Sequence, residues 1–562
     1  MIKVDGINTA FKDSLSIKAG QLITIPTGNH SWYGHGFNHQ QSWPLKEIQN
    51  DFFAVNNIQS PLWMNSNGEA FLADTCQAIQ VDFLAERSLN ISCKKNFRLR
   101  YFKAQNLSEL WKKLASILHW QKPKIKDDMW GDSLFCTWTQ YPRAINQERI
   151  INMARDIQKY DYPCSTIIID DRWESCFGEL EFGNDFPDPK SMITQLHDMG
   201  FKVWLWVTPF VNCESKYFSE LEKSLSLVPH KNGKEAAKFR WWGGKAGLVD
   251  LTQYSGKSWY KSKLNKLKDL GVDGFKIDGG DAKYMPSDEI TKWDMDPSVY
   301  SDLLLEIFEE IVPGNCESRA AWMSQNRNII WRLGGKDSHW GEDNGLKALL
   351  NLSLHLSLCG YDALIPDMIP GRVQTMNSDD PLVKDELMIR WTELSCFMPF
   401  VQFSYFPWNY CKETENTIKG FAKVHKALQN YIANMAKDNS APLIQPMEFA
   451  FPNSGMKNIC NQYLLGPDLM ICPVLDPGIN QRKVIIPNDE FIDAWSGQEM
   501  KKGEFIIDTP CPGIGLFVRK QNKQLFNILN SVLKNIARAS VVLDTCTSSH
   551  KCGLNRDLSV TG

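Results

Sequence analysis

The spacing of apolar positions changes twice along the chain, and each change marks a different kind of secondary structure. Up to about residue 105, short segments alternate apolar and polar side chains, as in Gln21-Leu-Ile-Thr-Ile and Phe97-Arg-Leu-Arg-Tyr, with turn residues between them. A period of two puts every second side chain on one face, so this region predicts antiparallel strands assembled as a β-sandwich. Residues 107–120 have the apolar spacing of a helix and predict a connector. From about residue 130, apolar runs alternate with amphipathic segments. Eight runs predict strands, at 134–141, 166–173, 202–211, 274–279, 318–324, 329–334, 363–368 and 397–404. Segments such as 150–159, 190–199 and 301–311 fit the helices between them. Strand–helix alternation gives parallel β/α units, and eight of them predict a TIM barrel. The rival, an open doubly wound sheet, calls for a Gly-rich phosphate turn after an early strand. Here the first strand ends in Thr137-Trp-Thr-Gln-Tyr. Beyond about residue 440 short strand patterns return, at 463–465, 469–475, 483–487 and 505–508, then an amphipathic helix at 522–539. The Ser-, Thr- and Cys-rich tail predicts poor order. The expected organisation is α/β: a β-sandwich with connector over 1–120, a (β/α)8 barrel over 121–435, a C-terminal β-domain over 436–520, and a helix and tail over 521–562.

Composition narrows the function. The formal charge of -3 in 562 residues argues against a nucleic-acid binder held by bulk charge. Twenty Trp is a high count, suited to sugar pockets that use indole faces or, equally, to a large aromatic core. No apolar run is long enough to span a bilayer, and the start Met1-Ile-Lys-Val-Asp lacks the apolar core of a signal peptide. Fifteen cysteines leave at least one thiol unpaired within the chain and show no zinc-type spacing. Sequons at Asn29, Asn90, Asn106 and Asn351 suggest passage through the secretory lumen.

TIM-barrel sites collect at the C-terminal ends of the strands. Strand two ends Ile167-Ile-Ile-Asp-Asp-Arg-Trp, strand four Gly274-Phe-Lys-Ile-Asp-Gly-Gly-Asp, strand six Trp331-Arg-Leu-Gly-Gly-Lys-Asp, and strand seven Ile365-Pro-Asp-Met. One such Asp reads as a helix cap, but four strands ending alike point to a site. Alternation puts Lys276 and Asp278 on one face and Phe275 and Ile277 on the helix side. Lys276 then favours an ionised Asp278 or forms an ion pair inside the barrel. By the same rule Trp204 and Trp206 face inward, Trp206 nearer the rim. Two carboxylates flanking a scissile bond are what glycoside hydrolysis needs. No H-E-x-x-H or G-x-S-x-G motif offers a competing chemistry, and no metal or organic cofactor is called for.

Two segments, Gly271-Val-Asp-Gly-Phe-Lys-Ile-Asp and Arg332-Leu-Gly-Gly-Lys-Asp-Ser-His-Trp, resemble the two catalytic signatures of glycoside hydrolase family 31. The resemblance implies Asp278 as nucleophile and Asp337 as general acid/base. Arg390-Trp-Thr-Glu-Leu-Ser-Cys-Phe-Met-Pro-Phe resembles the family's strand-eight segment, and the sandwich–barrel–β-domain order matches. Within the family the chain most resembles the myogenesis-regulating glycosidase branch, which acts as an α-galactosidase. That likeness is carried by residues 182–212, Arg240-Trp-Trp, Asp337-Ser-His-Trp-Gly, Pro366-Asp-Met and Gln402-Phe-Ser-Tyr-Phe-Pro-Trp, and spans roughly residues 30–520. The chain departs from the pattern at Asp281, where Glu is common, and at Gln402 and Ser404, where glucoside-acting members carry Arg and His.

The implied mechanism is double displacement on a carbohydrate substrate. Asp337 starts protonated, which calls for a less polar surrounding near Trp340. Asp170 and Asp171, at a place where related α-galactosidase families bind the O4 and O6 hydroxyls, are expected to select galactose. The alternative is that Asp171 only caps the next element. Trp138, Trp206, Trp242, Lys276, Arg332 and Trp340 complete the expected substrate-binding set, with core packing as the other role for the tryptophans. Rival functions are an α-glucosidase, an α-transglycosylase, and a catalytically silent sugar-binding protein on the same fold.

Overall fold

The structure is a computed structural model that describes residues 2–37, 41–52, 57–141, 144–286, 290, 291, 293, 295–372 and 383–540. The tail expected to be poorly ordered lies outside the described residues from 541 onward.

Two sheets open the chain, a six-stranded antiparallel one and a second of five antiparallel strands that a later segment joins as a sixth. In the outer one, Ile79–Leu84 alternates buried and half-buried positions, and Ile79, Val81 and Phe83 meet Leu89 and Ile91 of Ser88–Cys93 in the sandwich core. The inner sheet is covered on both faces. Trp63 and Phe71 point into the sandwich, while Leu62, Met64, Ala70 and Leu72 join the core of the barrel. Ile58–Asn65 is therefore buried at every position, where the outer strand alternates. Helix α1 (Leu107–Ile117) follows, its N-terminus capped by Asn106 accepting from Glu109 N at 3.0 Å.

Eight parallel strands then form the barrel: β1 (Ser133–Cys136), β2 (Cys164–Ile169), β3 (Lys202–Val207), β4 (Gly274–Ile277), β5 (Cys316–Ser318), β6 (Ile330–Arg332), β7 (Leu364–Ile365) and β8 (Val401–Phe403). Neighbours pair in chain order and β8 returns to β1. The β7–β8 seam is closed by Phe400 N donating to Leu364 O at 3.2 Å and Ile369 N donating to Gln402 O at 2.8 Å. Helices α2 (Gln147–Lys159), α3 (Pro189–Asp198), α4 (Tyr254–Asp269), α5 (Pro297–Ile311), α6 (Leu346–Leu358), α7 (Asp385–Ser395) and α8 (Lys412–Ala427) follow every strand but β5. The regular β/α alternation expected from the sequence fails between β5 and β6. Ala321–Trp322 lies there as a strand, paired in parallel with Ile58–Gln59 of the inner N-terminal sheet. The same chain cannot serve as both a seam between domains and a barrel helix. A three-stranded antiparallel insertion (Phe210–Asn212, Lys238–Trp241, Gly244–Leu248) rises from the top of β3.

After the barrel, six short strands in one sheet and a separate antiparallel pair, Gln481–Ile486 with Gly503–Asp508, form the C-terminal β-structure. Helix α9 (Lys523–Ser540) buries Leu525, Leu529, Leu533 and Ile536, which share one helical face. That face lies on α8, where a Cβ at Gly420 would stand 2.7 Å from Ile536 Cγ1. Asn351 of α6 is 3% exposed and donates to Gln41 O at 2.8 Å, so this sequon is shut against glycosylation in the folded protein.

One buried ion pair fastens the C-terminal β-structure to the barrel. Arg390 and Glu393 of α7 are 0% and 1% exposed and lie 3.0 Å apart. Arg390 also donates to Thr509 O at 2.8 Å, and Gly513 N donates to Glu393 at 2.6 Å. Arg390→Met strands a buried carboxylate, which costs about 3–5 kcal/mol. Urea unfolding is expected to show that loss, and Arg390→Met/Glu393→Leu to recover most of it. A single variant as stable as the wild type would refute the clamp.

Candidate active site

The site is built where the strands end. On β4, Phe275 meets Phe308 of α5 with ring centroids 5.4 Å apart, so Lys276 faces the barrel axis. The chain then turns sharply through Asp278, Gly279 (φ 74°) and Gly280 (φ 80°). Glycine takes this left-handed backbone without strain, and a Cβ on Gly279 would stand 2.6 Å from the Phe210 ring. The turn lets Gly279 N donate to Asp278 Oδ1 at 3.1 Å. Trp206 Nε1 donates to Oδ2 at 2.9 Å, Arg319 Nε donates to Oδ1, and the Arg332 guanidinium lies 3.8 Å away. Burial pushes the Asp278 carboxyl up, but Arg319, Arg332, the Trp206 N–H and Lys276 together hold it below the usual range.

Lys276 does not pair directly with Asp278. Its Nζ lies 2.9 Å from Asp170 Oδ2 and 3.8 Å from Glu317, both nearly inaccessible to solvent. Cys136 Sγ donates to the same Asp170 oxygen at 3.0 Å, and Asp171 N donates to the other at 2.9 Å. Glu317 in turn meets Arg332 Nε at 2.9 Å and accepts from Gln402 Nε2 at 2.7 Å. Gln402 is thus committed to this buried layer, and Ser404 Oγ accepts from Thr139 N at 2.7 Å.

Strand β2 stops at Ile169, so the doublet Asp170-Asp171 lies beyond the pleat and both residues border the same cavity. Arg172 at φ 74° carries the chain away. Unlike Asp170, the Asp171 carboxyl accepts no hydrogen bond among the described residues. Burial, and next the charge of Asp170, push it up to about 8.

Asp337 stands on the other side. Arg372 donates to its Oδ1 through Nη2 at 2.7 Å and Nε at 3.1 Å, and Asn344 Nδ2 donates to Oδ2 at 3.0 Å. Asn344 is oriented by Lys336, whose buried Nζ donates to Asn344 Oδ1 at 3.0 Å and to Gln41 Oε1 at 2.8 Å. Burial brings the Lys336 ammonium down to about 8. The apolar surrounding expected for Asp337 is therefore replaced by polar donors. Trp340, expected beside it, is half-buried against the main core and does not border the cavity.

The cavity has a volume of about 600 Å³. Trp138, Asp170, Asp171, Trp206, Trp242, Lys276, Asp278 and Arg332 of the expected set line it; Asp337 touches it through Arg372. Trp241 lines it too, nearly parallel to Trp206 at 6.4 Å, while Trp204 is fully buried below. Asp281 is 3% exposed, with Asn57 N donating to it at 3.3 Å. Sequence reasoning missed Arg319 and Arg372. Arg319 follows β5 directly, but the predicted strand ran from 318 to 324 and hid this strand end. Among the described residues no group of His, Cys, Asp or Glu is placed to hold a metal ion.

Residues 129–435 match the family model for the glycosyl hydrolases family 31 TIM-barrel domain, and residues 440–522 that for the family's C-terminal domain. The chain belongs to glycosyl hydrolase family 31. As a family 31 chain it is 28% identical over 522 residues to the myogenesis-regulating glycosidase of Mus musculus, covering 85% of this chain and 72% of that one. It is 27% identical to the 1,3-alpha-isomaltosidase of Kribbella flavida, covering 59% of this chain and half (50%) of that one. A family 31 alpha-xylosidase from a soil metagenome, solved with xylose, superposes with a TM-score of 0.75 at 20% identity, covering 91% of this chain and 81% of that one.

The raised Asp171 carboxyl has a consequence for stability. A carboxyl lifted from 3.8 to about 8 is protonated in the fold and ionised in the unfolded chain between those values. The unfolded state then binds fewer protons, so this group's contribution falls as pH rises from about 4 to about 8. Thermal melts across that range should show Asp171→Asn gaining on the wild type as pH rises. A difference independent of pH would mean that Asp171 ionises normally.

Proposed function

We propose that this family 31 chain is a retaining α-glycosidase acting on α-galactosides. The observation that carries the reading is the meeting of two strand-end carboxylates at one cavity: Asp278 lines it, and Asp337 is tied to its edge by Arg372. Asp278 is held ionised by Arg319 and Arg332, as a nucleophile must be. Asp337, at the edge of the same cavity, is the acid/base. Asp278 attacks the anomeric carbon while a proton on Asp337 passes to the departing oxygen; water, deprotonated by Asp337, then releases the sugar with retention. Both Asp337 oxygens accept N–H bonds in this structure, so the acid step requires the exposed Arg372 to let go of one of them. The related sulfoquinovosidase, xylosidase and isomaltosidase names show how varied the sugar is among relatives. The galactose reading rests on Asp171 and on the resemblance to the α-galactoside-acting branch. A protonated carboxyl with no partner both donates to and accepts from a sugar hydroxyl, and an O4 hydroxyl on the wrong side leaves it unsatisfied at a cost.

Asp278→Asn is expected to fold and lose turnover, and an activated fluorosugar to label Asp278 in peptide mapping. Asp337→Ala should slow substrates with poor leaving groups by about 10²–10⁴-fold. Azide should restore part of the rate and give the α-glycosyl azide. Label on another carboxylate, or no azide product, would reassign these roles. Faster cleavage of nitrophenyl α-glucoside than α-galactoside would remove the galactose reading alone.

A further inference from the structure

Charge is distributed unevenly with depth in the cavity. On the floor each cation has an acid: Lys276 lies 2.9 Å from Asp170, Arg332 lies 2.9 Å from Glu317, and Arg319 pairs with Asp278. The carboxylates that border the cavity, Asp170, Asp171 and Asp278, all belong to this floor. The mouth is lined by Arg240, Lys283 and Arg372 beside Trp242 and Tyr284, with no carboxylate among its described lining residues. Arg372 reaches down to Asp337. Arg240 and Lys283 are exposed and, among the described residues, form no ion pair.

Packing holds these two cations on one rim. Arg240 lies on the inserted strand Lys238–Trp241 and Lys283 on the short turn Ala282–Tyr284. The Tyr284 ring joins the two elements, 6.4 Å from Phe239 and 5.5 Å from Trp242. Lys283 Nζ lies 5.5 Å from the Tyr284 ring centroid, and both cations line the same cavity, whose mouth therefore attracts anions. Trp242, 45% exposed, has the Arg319 guanidinium over its ring at 5.5 Å and still leaves part of its indole open at the rim.

Depth decides which part of a substrate meets the rim. Asp278 is on the floor, so the released sugar sits there and whatever departs on the scissile oxygen extends outward. We infer that the mouth is a subsite for an anionic leaving group, an aglycone or second sugar whose carboxylate, sulfate or phosphate is bound by Arg240 and Lys283 while its ring lies on Trp242. This rests on the glycosidase reading above. Arginine and lysine both bind oxyanions, Arg through a planar fork and Lys as a point charge. The same anion offers Arg372 a second partner, which frees an Asp337 oxygen for the proton.

The test uses matched phenyl α-galactosides, and the matched α-glucosides, bearing a para carboxylate or its methyl ester. The two probes differ in charge but hardly in shape. Dissociation constants are measured on Asp278→Asn, and turnover on the wild type. The carboxylate is expected to bind about 3–10-fold more tightly than the ester at low salt. The preference should collapse at about 0.5 M salt. In Asp278→Asn/Arg240→Gln/Lys283→Gln the ratio of the two constants should fall toward one. Equal binding of acid and ester, or an undiminished preference without Arg240 and Lys283, overturns the inference while turnover of the ester leaves the glycosidase reading standing. Binding without turnover of either sugar refutes that reading instead, and the ratio still decides the subsite. Neither binding nor turnover removes both.

Discussion

Lys276 and Arg332 are 2% and 3% exposed at the top of the barrel, and each stands between carboxylates. Lys276 bridges Asp170 and Glu317; Arg332 bridges Glu317, Asp278 and Asp367. Charges taken this far from water persist only when each is matched, and removing one leaves the others stranded. The layer therefore stands or falls together. It also explains how carboxyls on one cavity acquire opposite character. Asp278 receives Arg319 and Arg332 and stays ionised, while Asp171, pushed up first by burial and then by the charge of Asp170, rises to about 8.

The β-structure at either end of the barrel is part of this arrangement. Gln41, from the N-terminal sandwich, accepts from Lys336 at 2.8 Å, and Lys336 orients the Asn344 that holds Asp337. Asn57 N donates to Asp281, and a Cβ on Gly334 would meet the Asn57 side chain at 2.3 Å. At the other end, α9 covers α8 and the Arg390–Glu393 pair grips the loop through Thr509 and Gly513. The barrel thus takes support for Asp337 from outside its own strands.

Above the charged floor the insertion after β3 changes the character of the cavity. It brings Trp241, Trp242 and Arg240 over the strand ends and packs against Tyr284. On the proposed reading, specificity toward the departing group falls to a hairpin and a turn, and the chemistry to the ends of rigid strands. Loops of this kind vary without disturbing the barrel.

The sequence by itself determined seven of the eight barrel strands, because apolar periodicity is a local property, but set the fifth a few residues late; it located Asp278 and Asp170-Asp171, because a strand end is recognisable wherever an apolar run meets polar residues. It also implied the sandwich and the final helix, whose apolar positions recur with a fixed period. It did not determine who partners whom. Lys276 is adjacent in pleat to Asp278 yet pairs with Asp170, since the inward side chains of alternate strands, here β2 and β4 with β3 between them, meet inside the barrel. Arg319 and Arg372 reach Asp278 and Asp337 from distant segments, and Ala321–Trp322 became a seam with the sandwich where a helix was expected. Trp340 packs against the main core and leaves the cavity to other side chains. Such choices depend on which charges share a buried layer and which faces must be covered. Those are properties of the assembled fold, set only when strands far apart in sequence come within a few ångströms.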